Sequence, residues 1–249
     1  EPFSRHGLRS LYQTLRNGVR RPLASLGQRA ASLSEEDRPL AEAVLARRDE
    51  LMARLSAVRD VPLDAVRIRC HGDYHLGQCL WTGRDFFIID FEGEPMRPLS
   101  ERRLKRSPIS DVAGMCRSLD YAAAAGLRHL VERGVAEETP ADVGGLRSLA
   151  EAWSHAARTA FLRGWLRAAD PGDDDRSPRL APADPGGLAR LLDAWTLHKA
   201  AYEVDYELNA RPDWVGIPLR GILGVLDEAP GPPTATTATT NRAEEGPSS

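Results

Sequence analysis

Apolar positions recur at helical spacing along most of this chain, and only one short stretch alternates instead. Residues 4–31 carry a helical pattern that Pro22 is expected to interrupt. Ser34 followed by Asp37 marks a helix start, and Leu40, Val44, Leu51, Leu55 and Val58 then return at three- to four-residue intervals. Residues 35–59 therefore read as one amphipathic helix. Pro62 and Asp64 mark a turn, and Val66 and Ile68 alternate with Arg67 and Arg69 as in a half-buried strand.

The middle of the chain breaks the helical rhythm. Residues 71–78 hold two glycines and form a loop. Residues 79–82 predict a short strand, Gly83, Arg84 and Asp85 a turn, and residues 86–89 a buried strand with Asp90 at its end. Residues 92–109 are a proline-containing loop with the basic run Arg97, Arg102, Arg103, Lys105 and Arg106. Helices follow over 110–130, with Ser110 as a candidate cap, and over 146–169, 187–209 and 217–227, the last with Pro218 in its first turn. Residues 171–187 are a polar connection, and 229–249 a disordered tail poor in core-forming residues. The predicted fold is mainly α with a small β-hairpin, an α+β arrangement. Residues 1–60 form a helical segment leading into a lobe over 61–228.

Composition narrows the class. A formal net charge of -3 suggests no nucleic-acid partner, and no apolar stretch approaches a membrane span of ~20 residues. Cys70, Cys79 and Cys116 are odd in number and form no CxxC pair, which suits reduced thiols and a cytoplasmic setting. The chain opens at Glu1, not Met, as a fragment of a longer protein would.

The informative residues run His71-Gly72-Asp73-Tyr74-His75-Leu76-Gly77-Gln78, followed by Asp90-Phe91-Glu92. A loop Asp, an amide five residues later and a second Asp after a strand make the arrangement that phosphoryl transfer uses in protein kinases. An attacking hydroxyl needs a proton acceptor, and Mg²⁺ against phosphates needs hard oxygen ligands. Two competing readings use the same residues. The aspartates could simply cap loop N–H groups. Alternatively His71, Asp73 and His75, with Cys70 and Cys79 nearby, could hold zinc. The zinc reading leaves Asp90-Phe91-Glu92 without a role, and His6, His129, His155 and His198 are scattered singly.

HGDYHLGQ, IIDFEGEP and ERRLKRSPISDVAGM resemble the maltokinases, sugar kinases related to the aminoglycoside phosphotransferases, and the resemblance runs from near residue 1 to about 226. It implies a protein-kinase-like C-lobe with Asp73 as catalytic base, Gln78 and Asp90 as Mg²⁺ ligands, and ATP as co-substrate. It further implies conversion of maltose to maltose 1-phosphate, a role in glycogen and trehalose metabolism, and trehalose synthase as a partner. Lys199, Tyr202, Glu203 and Tyr206 share one helical face at i, i+3, i+4 and i+7. The resemblance makes them sugar ligands, and His71 lies close enough to the base to join them. Asp111 stands at a helix start, where it could anchor the basic loop or cap the helix. Such a kinase also needs an N-terminal lobe with a phosphate-covering loop and a lysine. The only two lysines, Lys105 and Lys199, follow the motif, so that lobe is expected to be missing and the isolated chain inactive. Two other readings stay open: a related phosphotransferase acting on another sugar or an aminoglycoside, and a non-catalytic maltose-binding or assembly module.

Overall fold

The computed structural model describes residues 1–62, 64–93, 98–134, 140–169, 172 and 178–229, without the side chains of 140–143. It is mainly helical with one small antiparallel sheet. The helices are α1 (Arg5–Arg29), α2 (Asp37–Ala46), α3 (Arg48–Ser56), α4 (Leu99–Arg102), α5 (Ile109–Glu132), α6 (Pro140–Ala169), α7 (Pro185–Ala210) and α8 (Gly216–Asp227). The strands are β1 (Cys79–Trp81) and β2 (Phe86–Ile88).

Helix α7 is the centre of the bundle, with α1, α3, α5 and α8 packed around it. Pro185 lies in its first turn and Asp184 caps it, accepting the Gly187 N–H at 2.7 Å. Leu191, Leu197, Ala201 and Val204 are buried there, against a stripe on α1 that includes Leu8, Leu15, Val19 and Leu26. Pro22 does not break α1 as expected. It is itself buried in that stripe, and the helix continues through it. A proline in a helix interior costs ~3 kcal/mol, which burial of a long apolar face offsets. At Gly18 any Cβ would collide with the His198 ring, so the two helices meet backbone to side chain.

The helix expected over 35–59 is two helices. They meet at Arg47, whose φ of -95° and ψ of 19° leave the helical region. Its guanidinium holds Glu50 at 2.8 Å and also pairs with Asp227 at the end of α8. The break lets α2 lie on α8 while α3 lies on α7. Val66 and Ile68 form no regular strand. The extended backbone makes isolated bridges instead, Pro2 with Val66, Ala65 with Arg179 and Ile68 with Arg106.

The hairpin forms in the expected register, pairing Cys79 with Ile88, Leu80 with Phe87 and Trp81 with Phe86. Its turn uses Gly83 at a φ of 91°, a conformation that costs glycine little. The expectation that its second strand is buried fails: Phe86 and Phe87 are 62% and 64% exposed. Continuous apolarity shows that a strand has to be covered, but not that its own chain covers it. Helix α5 starts at Ile109 after Pro108, with Ser107 Oγ accepting the Ile109 N–H at 3.3 Å, so Ser110 lies inside it and does not cap it. Residues 230–249 of the expected tail, and Arg97 of the basic run, lie outside the described residues. Among the described residues no helix is long and apolar enough to cross a membrane.

Candidate active site

The first turns of α5 seat the motif loop. Asp111 accepts the backbone N–H groups of His71 at 2.7 Å and Gly72 at 2.9 Å. Three residues on, a Cβ at Gly114 would come within 2.8 Å of the Tyr74 carbonyl, so only glycine lets the loop lie this close. One turn further, Ser118 Oγ accepts the Leu76 N–H at 3.0 Å. The spacing 111, 114, 118 is one helical face. Asp111 thus anchors the motif loop, and Arg106 of the basic loop also acts on it electrostatically. Burial raises its pKa, and the two amide hydrogen bonds oppose that rise.

His71 ties this loop to the strand that precedes Asp90. The buried ring donates from Nε2 to the Ile89 carbonyl at 2.7 Å, and its Nδ1 accepts the Asp73 N–H at 3.4 Å. Both ring nitrogens serve the backbone, and His71 does not line the pocket around Asp73. No cluster of three or more metal-ligating side chains occurs among the described residues. Burial pushes the Cys70 thiol up to about 12. The zinc reading is therefore set aside.

Asp73 projects from the loop into a small pocket shared with Ser110, Asp111, Trp195, Lys199 and Tyr202. Its Oδ1 is 3.5 Å from Lys199 Nζ, and its Oδ2 is 3.9 Å from His75 Nε2. The Lys199 ammonium also stands 5.1 Å from the centre of the Tyr202 ring. At the far end of the motif, Gln78 Nε2 donates to Asp90 Oδ2 at 2.9 Å. Asp90 adopts a φ of 63°, a left-handed conformation that aspartate tolerates better than most residues, and this turns its carboxylate back toward Gln78.

The four residues expected on one face of α7 divide between three environments. Lys199 and Tyr202 line the pocket with Asp73. Tyr206 is half exposed, with the Arg211 guanidinium 5.5 Å from its ring centre. Glu203 is buried against α5, where Arg117 holds its Oε2 through Nε at 2.9 Å and Nη2 at 2.8 Å. Packing of α7 on α5 turns this position inward, so Glu203 is not a pocket residue. Burial raises its pKa, while Arg117 and Lys199 pull it back. Arg117 also holds Asp120 at 2.8 Å, and Gly221 of α8 lies so close that a Cβ there would strike the guanidinium. Sequence reasoning missed Arg117. Its signal is a charge of each sign, Arg117 and Glu203, at buried positions in two largely apolar helices. In the basic loop, Lys105 pairs with Glu1 at 3.1 Å and Arg106 donates to the Glu101 carbonyl at 3.1 Å.

A larger groove of about 650 Å³ runs between α5, α6 and α8, and it shares no lining residue with the Asp73 pocket. Arg117, Asp120, Ser154 and Arg158 line it, with Asp120 bonded to the other three. The motif residues, not the size of the cavity, mark the candidate site.

No known protein-family profile matches the chain. A glucosamine kinase of Streptacidiphilus jiangxiensis is 35% identical over 133 residues, 51% of this chain and 26% of that protein. A glucosamine kinase of Mycolicibacterium smegmatis is 29% identical over 188 residues, 75% of this chain and 41% of that protein. A solved glucosamine kinase structure superposes with a TM-score of 0.63 at 25% identity, covering 92% of this chain and 46% of that one. Another, in complex with glucosamine, ADP and inorganic phosphate, gives a TM-score of 0.57 at 24% identity over 91% of this chain. The chain thus spans less than half the length of each of these relatives. They correct the resemblance drawn from the motifs: they are glucosamine kinases, not maltokinases. With that correction the maltose substrate, the maltose 1-phosphate product and the link to trehalose and glycogen metabolism fall away.

Proposed function

We propose that this chain is the acceptor-binding part of an ATP-dependent sugar kinase that phosphorylates a hexosamine such as glucosamine. The supporting observation is the placement of Asp73 in one pocket with Lys199 and Tyr202, while Gln78 and Asp90 of the same motif meet each other outside that pocket's lining. The acceptor hydroxyl would then lie with Asp73 in the pocket, and the phosphate donor near Gln78 and Asp90. The Asp73 carboxylate takes the proton of the attacking hydroxyl as its oxygen bonds to the γ-phosphorus and ADP leaves. Lys199, 3.5 Å from that carboxylate, gives the sugar a donor, and the Tyr202 ring offers it an apolar wall.

One carboxylate and one amide oxygen suit Mg²⁺, which takes one or two protein ligands and otherwise keeps phosphates and water. Gln78 and Asp90 are the residues that would hold it, and when bound it would neutralise phosphate charge. The fold is best described as a protein-kinase-like C-lobe. Sugar-dependent ADP release by the full-length protein with ATP, Mg²⁺ and glucosamine tests this reading. No release across a panel of hexosamines, hexoses and aminoglycosides would sink it.

A further inference from the structure

The motif loop holds a second histidine to which the proposed chemistry assigns no task. His75 precedes a single 3-10 turn, Leu76–Gln78, and its Nδ1 accepts the Gly77 N–H at 3.1 Å. A ring nitrogen that accepts carries no proton, so the neutral ring bears its hydrogen on Nε2. That Nε2 lies 3.9 Å from Asp73 Oδ2, while Lys199 faces Oδ1. Gly77 makes the arrangement possible, because a Cβ there would come within 2.8 Å of the ring Cε1 and 3.0 Å of Nδ1. The backbone thus sets the tautomer, and the glycine keeps the ring over the turn.

We propose that His75 is a positioning residue for Asp73. Its Nε2–H holds Oδ2, so that Oδ1 stays turned toward the Lys199 side of the pocket, where the acceptor hydroxyl arrives. This rests on the reading of Asp73 as the base. A separation of 3.9 Å is longer than a hydrogen bond and closes with a small side-chain rotation. Contacts in catalytic sites commonly tighten in this way once substrate is bound. A carboxylate held at one oxygen presents the other in a single direction, and misplacement by about 1 Å can cost ~10²-fold in rate.

His75→Ser separates positioning from capping, because serine caps a helical turn well but cannot reach Asp73. In the full-length protein we expect kcat to fall ~10- to 100-fold while KM for the sugar stays within ~3-fold. His75→Gln, which restores an N–H donor, should recover part of the loss. Gly77→Ala displaces the ring without removing it, and should give a smaller loss of the same kind. Parental kcat in His75→Ser would reduce His75 to a cap and overturn the proposal. ¹⁵N-histidine NMR of the unmodified chain gives a readout independent of turnover. The Nε2–H tautomer, with an Nε2 resonance that moves on Asp73→Asn, is expected. An Nδ1–H tautomer would overturn the proposal. Absence of sugar-dependent turnover in the parental protein would instead refute the base assignment, leaving the NMR result to decide the contact.

Discussion

The bundle around α7 and the hairpin beside it use apolar residues in opposite ways. In the bundle, Leu15, Leu191, Leu197 and Leu219 are fully buried, and the buried charges Arg117 and Glu203 answer each other. In the hairpin, Trp81, Phe86 and Phe87 lie 60–64% exposed, and Phe91 just beyond is 62% exposed. These side chains lie on both faces of the small sheet, Trp81 with Phe86 on one and Phe87 on the other. The helices around α7 bury a core of their own, and the hairpin leaves its apolar side chains uncovered. Changes to the first should therefore cost stability, and changes to the second should cost function.

Removing Arg117 should break the bundle most severely. Arg117→Met leaves Glu203 buried without its partner, and we expect a loss of ~3–5 kcal/mol in urea unfolding. Pairing it with Glu203→Leu should restore much of that loss, because an apolar pair of similar volume replaces a buried ion pair at little cost. If the single variant unfolds like the parent, the buried pair is not part of the scaffold. Leu191→Ala should cost ~2–5 kcal/mol through the cavity it leaves. Phe87→Ser, on the exposed strand, should change stability by no more than ~0.5 kcal/mol and should lower binding of a hydrophobic dye. Equal losses for these two substitutions would erase the contrast.

The reverse pattern is expected at Asp73. Asp73→Asn should leave the urea midpoint unchanged and lower turnover of the full-length protein by ~10²-fold or more, with sugar binding largely intact by calorimetry. Near-parental turnover would remove Asp73 from the mechanism. The smallest effect concerns pH. Burial pushes Asp193 up to about 6 although Arg54 lies 2.9 Å away. Its folded pKa is then above its unfolded value, so the folded state holds the proton more tightly between about pH 4 and 6. The stability contributed by this group is present below that window and is lost as pH rises through it. The stability difference between parent and Asp193→Asn should shrink across the same window, measured by urea unfolding at each pH. A difference independent of pH would show that Asp193 is not shifted.

Much of the architecture was legible from local pattern. The helical periodicity of 187–209 and 217–227 and the Gly83 turn between two apolar runs depend on contacts a few residues apart, which sequence spacing records directly. The string from His71 to Gln78, with Asp90 beyond it, pointed to phosphoryl transfer for the same reason: its spacing is local. The motifs resembled the maltokinases while the relatives are glucosamine kinases, because such loop strings are local and carry little of what is set by side chains far apart in sequence.

What only the tertiary structure decided were the long-range choices. Pro22 remains inside α1 because α7 buries the stripe on both sides of it. Glu203 is one residue from Tyr202, yet it faces Arg117, 86 positions away, and not the pocket. His71 turns both ring nitrogens to backbone, one of them to Ile89, because the hairpin folds that carbonyl back onto the loop. Periodicity states which residues share a face, and only packing states what that face meets.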